Sequence, residues 1–92
     1  AAAGNDVGFV VWPAAYDEAI AVAAVGPERL PWSGSSRGRA VDISAPGESV
    51  WHATTEREGT DGYTFKITSG SGTSYAVASV AGVAALWLAK HG

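Results

Sequence analysis

The stretch SGSGTSYAVASVAG, residues 69–82, passes from a glycine-serine loop into a run of small apolar residues, and Ser74 stands at the seam. A hydroxyl there has two uses. It can cap the free N–H groups of a helix, or it can act as a nucleophile beside them. The helix start supplies part of what the second use needs, because unpaired N–H donors and the positive dipole end stabilise an oxyanion forming nearby. Gly70 and Gly72 would let a substrate backbone approach closely. Thr73 is then the alternative cap, which frees the Ser74 hydroxyl. Nothing local activates Ser74. An alcohol of ordinary acidity needs an adjacent base, usually a histidine held by a carboxylate.

Neither histidine in the chain fits that role. His52 lies in an alternating, strand-like segment and reads as a strand-surface side chain. His91 closes the apolar run about 25 Å from Ser74 by helix rise and reads as a favourable charge at a helix end. Asp42 reads as a strand-end carboxylate placed to meet Arg37 or Arg39, and Asp61 before Gly62 as turn chemistry.

The elements that would position these groups follow from local pattern. Ala1–Ala3 reads as the end of a buried strand, and Gly4-Asn5-Asp6 as a turn. AIAVAAV, residues 19–25, is a continuous apolar run suited to a strand buried on both faces. AVDISAPG alternates and then breaks at Pro46-Gly47. SVWHAT and YTFKIT both alternate at period two around the polar TEREGTDG, which predicts a hairpin. Tyr75–Lys90 contains no proline and carries Ala76, Val80, Val83, Ala84 and Trp87 at helical spacing, with Gly92 as its stop. The pattern predicts one α/β domain with parallel strands, a hairpin and a buried central helix that starts at Ser74.

Composition narrows the function classes. A net charge of −3 with no basic cluster argues against nucleic acid and anionic membrane surfaces. The absence of cysteine removes thiolate chemistry and disulfides. The apolar run from Tyr75 to Ala89 falls short of the roughly 18 residues of a membrane span. Only 16% of residues are charged, against about 25% in an average soluble domain. The chain therefore reads as an interior piece of a larger fold, with residue 1 lying within that fold.

The segment SGTSYAVASVAGVAAL resembles the nucleophile motif of the subtilisin-like serine peptidases, in which Gly-Thr-Ser opens a buried helix. Three further segments resemble the same family in the same order: AAAGN, WPAAYDEAIAVAAV and SSRGRAVDISAPGESVW. The resemblance covers nearly all of residues 1–92 and implies the carboxyl-terminal part of the catalytic domain. It implies Ser74 as nucleophile, with Asn5 and the Ser74 N–H as oxyanion donors. Gly72 and Thr73 would flank the substrate. Ala2, Ala3 and Gly4 would form a wall of the primary specificity pocket, with Val11 near its floor and a preference for small or medium apolar side chains. The substrate would be a peptide or protein, and secretion is the family's habit.

The resemblance also implies a structural calcium or monovalent cation on the backbone carbonyls of Ala14, Tyr16 and Ala19, with no cofactor needed for the chemistry. Trp12-Pro13 stands where the family often has a cis peptide, although trans is the default for such bonds. In this family the acid and the base precede the oxyanion asparagine, so an amino-terminal part of the same domain is the expected partner. The isolated segment should then be inactive and should self-associate through exposed sheet edges. Tyr75, Ala78 and Ser79 depart from the family's usual Met, Pro and His. A non-catalytic or structural role is the alternative that these departures raise.

Overall fold

Alanine and valine dominate the first strand because it is covered on both sides. In the computed structural model of the protein, which describes residues 1–6 and 8–92, β1 spans Val22–Val25 and pairs in parallel with β2, Ile43–Pro46. Ala2 bridges Val22 on the other side, also in parallel. Ala1 accepts the Val22 N–H and Ala3 donates to the Val22 carbonyl, both at 2.9 Å. The predicted strand end at Ala1–Ala3 and the predicted buried strand are thus adjacent, although β1 is shorter than the apolar run that contains it.

The hairpin consists of β3, Val50–Glu58, and β4, Gly62–Gly70, in antiparallel register from Val50↔Gly70 to Glu58↔Gly62. Its strands reach further than the alternation suggests, because the charged residues of TERE pair as well. Gly59, at φ 61°, makes the left-handed turn. The register closes the base of the hairpin and brings Ser49 and Ser71 together. The Ser49 N–H donates to the Ser71 hydroxyl at 2.9 Å, and the Gly72 N–H donates to the Gly47 carbonyl at 2.8 Å. The entry to the helix is thereby tied to the end of β2.

The helix, α1, spans Thr73–His91, beginning one residue before Ser74 and two before the run from Tyr75, and ends on Gly92, whose N–H caps the Leu88 carbonyl. It packs on β1 and β2. The core is small: Val22, Ala24, Ala45 and Ala76, flanked by Trp32, Val77 and Val80. Burial of α1 is confined to its first turns, with only Thr73 and Ala76 fully inside. Leu86 at 73% and Trp87 at 60% remain exposed. The reason is length. Two four-residue strands run about 13 Å, and a nineteen-residue helix about 28 Å. At that length α1 is also long and apolar enough to cross a membrane, which the shorter run from Tyr75 to Ala89 is not. Its first turns are nevertheless held against the sheet.

Gly47 sets how closely α1 approaches β1 and β2. A Cβ at that position would stand 2.6 Å from Ala24 Cβ, 2.8 Å from the Gly72 carbonyl oxygen and 3.2 Å from Ala76 Cβ. Two of these are clashes with backbone or with a rigid methyl group. Gly47→Ala is expected to destabilise the full-length protein by about 1–3 kcal/mol through overpacking. Thermal unfolding checks this, and an unchanged Tm would mean that the helix start has room to shift.

Candidate active site

Ser74 and Asn5 arrive at one place from opposite ends of the sequence. Asn5 follows the Ala1–Ala3 segment beside β1, and Ser74 lies in the first turn of α1, which the end of β2 anchors. Both are exposed. Gly72 is the N-cap residue and carries no side-chain cap, so neither Thr73 nor Ser74 serves as one. Thr73 instead joins the Asn5 segment to the helix. Its N–H donates to Asn5 Oδ1 at 3.0 Å, and its hydroxyl donates to the same oxygen at 3.0 Å. That hydroxyl oxygen in turn accepts the Gly4 N–H at 3.2 Å. The expected capping by Thr73 is replaced by a cap from Asn5, whose carbonyl oxygen reaches the helix start from a distant segment.

This network settles the orientation of the Asn5 amide. The Thr73 N–H can only donate, so the amide atom it meets is the oxygen, and the Thr73 hydroxyl, facing that same oxygen, donates to it as well; Oδ1 is therefore toward Thr73 and Nδ2 away from it. Nδ2 passes over Gly72, 3.5 Å from where a Cβ would stand. The helix N–H groups divide in the same way. Thr73 donates to Asn5, and Tyr75 donates to the Gly72 carbonyl at 3.2 Å. The Ser74 N–H lies between them and has no backbone partner among the described residues. The open donors are therefore Ser74 N–H and Asn5 Nδ2.

Gly4 and Val11 also meet here. Gly4 has φ 115°, and a Cβ on it would stand 2.9 Å from both Val11 methyl carbons and from Ser36 Oγ. Ala3 is fully buried, Ala2 is partly exposed, and the Val11 N–H donates to the Ala3 carbonyl at 2.9 Å. Val11 thus lies against Ala3 and Gly4, and Gly4, Gly72 and Thr73 adjoin Asn5 at the helix start. A cavity of about 510 Å³ lined by Glu28, Glu48 and Ser49 contains none of these residues.

Ala14, Tyr16 and Ala19 lie in a run of turns. The Tyr16 carbonyl accepts the Ala19 N–H at 3.1 Å, which leaves it one lone pair. No cluster of three or more His, Cys, Asp or Glu residues suited to a metal occurs among the described residues. Trp12–Pro13 is cis rather than the default trans, and the Trp12 and Tyr16 rings meet edge to face at 4.5 Å.

His52 is half-buried on β3, with its ring 5.0 Å from that of Tyr75 and its Nδ1 3.1 Å from the Val50 carbonyl. His91 stacks on Trp87 at 4.8 Å. Neither is paired with a carboxylate among the described residues. Asp42 bonds to the Ala21 N–H at 2.8 Å, where an ion pair with Arg37 or Arg39 was expected. The strand backbone offered the nearer donor. Two features near Ser74 escape sequence reasoning. Tyr75 lies over Gly70, where an added Cβ would be 2.5 Å from the Tyr75 hydroxyl. Ser36 contacts the Asn5 segment, and nothing local in the sequence marks it.

A model of the subtilase family matches residues 1–92. Halolysin from Haloferax mediterranei is 42% identical over 95 residues, covering 99% of this chain and 16% of that protein. Subtilisin E from Bacillus subtilis is 42% identical over 96 residues, covering 99% of this chain and 23% of its own length. Among solved structures, that of the prenylagaramide maturation protease PagA aligns with a TM-score of 0.76 at 33% identity, over 96% of this chain and 30% of that one. The chain therefore spans a third or less of the length of these relatives.

Proposed function

The chain belongs to the subtilase family, and on that premise we propose that it carries the nucleophile and oxyanion donors of a serine endopeptidase. The observation that supports this most is the pair of uncommitted donors, Ser74 N–H and Asn5 Nδ2, at one helix start beside an exposed serine. Ser74 Oγ attacks the scissile carbonyl carbon and passes its proton to the base. The carbonyl oxygen takes the negative charge and is held by the two donors. The base then protonates the leaving amine, and water hydrolyses the acyl-enzyme. No cofactor takes part in these steps.

The base and its carboxylate partner come from the amino-terminal part of the same domain, so residues 1–92 alone are inactive. Gly72 and Thr73 lie along the substrate, and the wall at Ala2, Ala3 and Gly4 with Val11 at the floor favours small or medium apolar side chains in a peptide or protein. A structural cation on the Ala14, Tyr16 and Ala19 carbonyls belongs to this reading as a stabiliser. Nucleic acid and membrane are not partners in it.

A fluorophosphonate probe tests the proposal. The full-length protein is expected to be labelled at Ser74, and Ser74→Ala to abolish the labelling. Failure of every form to label would favour a non-catalytic, self-associating role, for which the exposed apolar residues of α1 and the hairpin supply the surface.

A further inference from the structure

Asn5 is held by its side chain through Thr73, and its backbone is held by a different residue. Ser36 is fully buried and brackets Asn5 on both sides. Its N–H donates to the Gly4 carbonyl at 2.8 Å. Its hydroxyl accepts the Asp6 N–H at 3.0 Å and donates to the Asp6 carbonyl. The peptide groups before and after Asn5 therefore answer to one residue that lies 30 residues from Asp6, the first through its backbone N–H and the second through its hydroxyl. Ser36 also fits under Gly4, where any Cβ would collide with its hydroxyl.

Ser36 is itself fixed. The neighbouring Ser35, also buried, accepts the Ala24 N–H at 3.0 Å through its hydroxyl and donates to the Ser36 carbonyl at 3.2 Å. A continuous set of hydrogen bonds runs from β1 through Ser35 and Ser36 to the peptides that flank Asn5. Ser35 and Ser36 are buried, so breaking a bond to either hydroxyl strands it away from water, which holds both in one arrangement. The Asn5 amide depends on such rigidity. A donor aimed at a charge that exists only in the transition state loses its value when it is displaced by a fraction of an ångström.

We infer that Ser36 is a positioning residue of the oxyanion hole, holding the Gly4–Asp6 backbone so that Asn5 Nδ2 is set beside the Ser74 N–H before charge develops. The inference rests on the reading of Asn5 as an oxyanion donor. Ser36 touches neither substrate nor Ser74 in this role, so its loss acts on the rate of the chemical step and not on ground-state binding.

The test is a double-mutant cycle in the full-length protein with a peptide substrate, with thermal unfolding followed in parallel. Ser36→Ala alone is expected to lower kcat about tenfold and to leave KM within about twofold. In an Asn5→Ala background the same replacement is expected to lower kcat by less than about twofold, because the group it positions is gone. Equal losses of kcat in the two backgrounds would overturn the inference, as would an unchanged kcat or a change confined to KM. If Ser36→Ala fails to fold, Ser36→Cys carries the same cycle, being close in size and a poor hydrogen-bonding partner. A wild-type protein that binds fluorophosphonate at Ser74 and turns over peptides, yet shows no coupling, removes only the role of Ser36. A wild-type protein with neither property removes the peptidase reading and this inference with it.

Discussion

Ser74→Ala is expected to lower kcat of the full-length protein about 10⁶-fold while leaving its thermal stability almost unchanged. The rate figure is that known for loss of the corresponding serine in subtilisin, a relative of this chain. The stability half follows from the site. Ser74 is exposed, it does not cap α1, and the Thr73 contacts to Asn5 do not involve it. An exposed serine in a first helical turn that bonds to nothing usually changes stability by less than about 0.5 kcal/mol when replaced by alanine. Peptide hydrolysis and thermal unfolding of the same preparation check both halves. Retained turnover would remove Ser74 as nucleophile. A large fall in Tm would show instead that the hydroxyl supports the helix start.

Asn5 allows a sharper separation, because its two amide ends do different work. Oδ1 accepts from both Thr73 donors, and Nδ2 faces away from them. Asn5→Ala removes both ends. It is expected to lower kcat by about 10²–10³, the range for loss of the equivalent donor in subtilisin, and to cost about 1 kcal/mol of stability through the lost Thr73 bonds. Asn5→Asp keeps an acceptor for Thr73 and adds a negative charge at a helix start, where the dipole favours it. Its stability is therefore expected to match or exceed that of Asn5→Ala. Its rate is expected to fall at least as far, because the donor is gone and a carboxylate faces the developing oxyanion. Steady-state kinetics and thermal unfolding of the two variants give the comparison. If Asn5→Asp retained the rate, Nδ2 would not be an oxyanion donor.

Much of the architecture is readable from local pattern. The alternation on either side of TEREGTDG foretells the β3–β4 hairpin, and the proline-free small-residue run after Gly72 foretells α1. Ala19–Val25 foretells a buried strand, with its ends misplaced. Periodicity and glycine placement report such elements because each depends on residues close together in the chain. The extent of helix burial is not readable in that way. The small apolar residues that suit a central helix are present throughout α1, yet only its first turns meet β1 and β2.

The site divides along the same line. Sequence by itself determines that a serine follows Gly-Thr at a helix start and that a turn presents Asn5. These are matters of residue type, order and short-range geometry. The orientation of the Asn5 amide depends on Thr73, 68 residues away. The availability of the Ser74 N–H depends on which of its helical neighbours are already bonded. The clamp of Ser36 on the peptides around Asn5 depends on a loop folding back across β1. Each is a hydrogen bond between groups that any polar residue could supply and that no local pattern marks. Only the packing of α1 and of the Ala1–Ala3 segment against one short sheet brings the groups within bonding distance and fixes which end of the Asn5 amide meets the helix start.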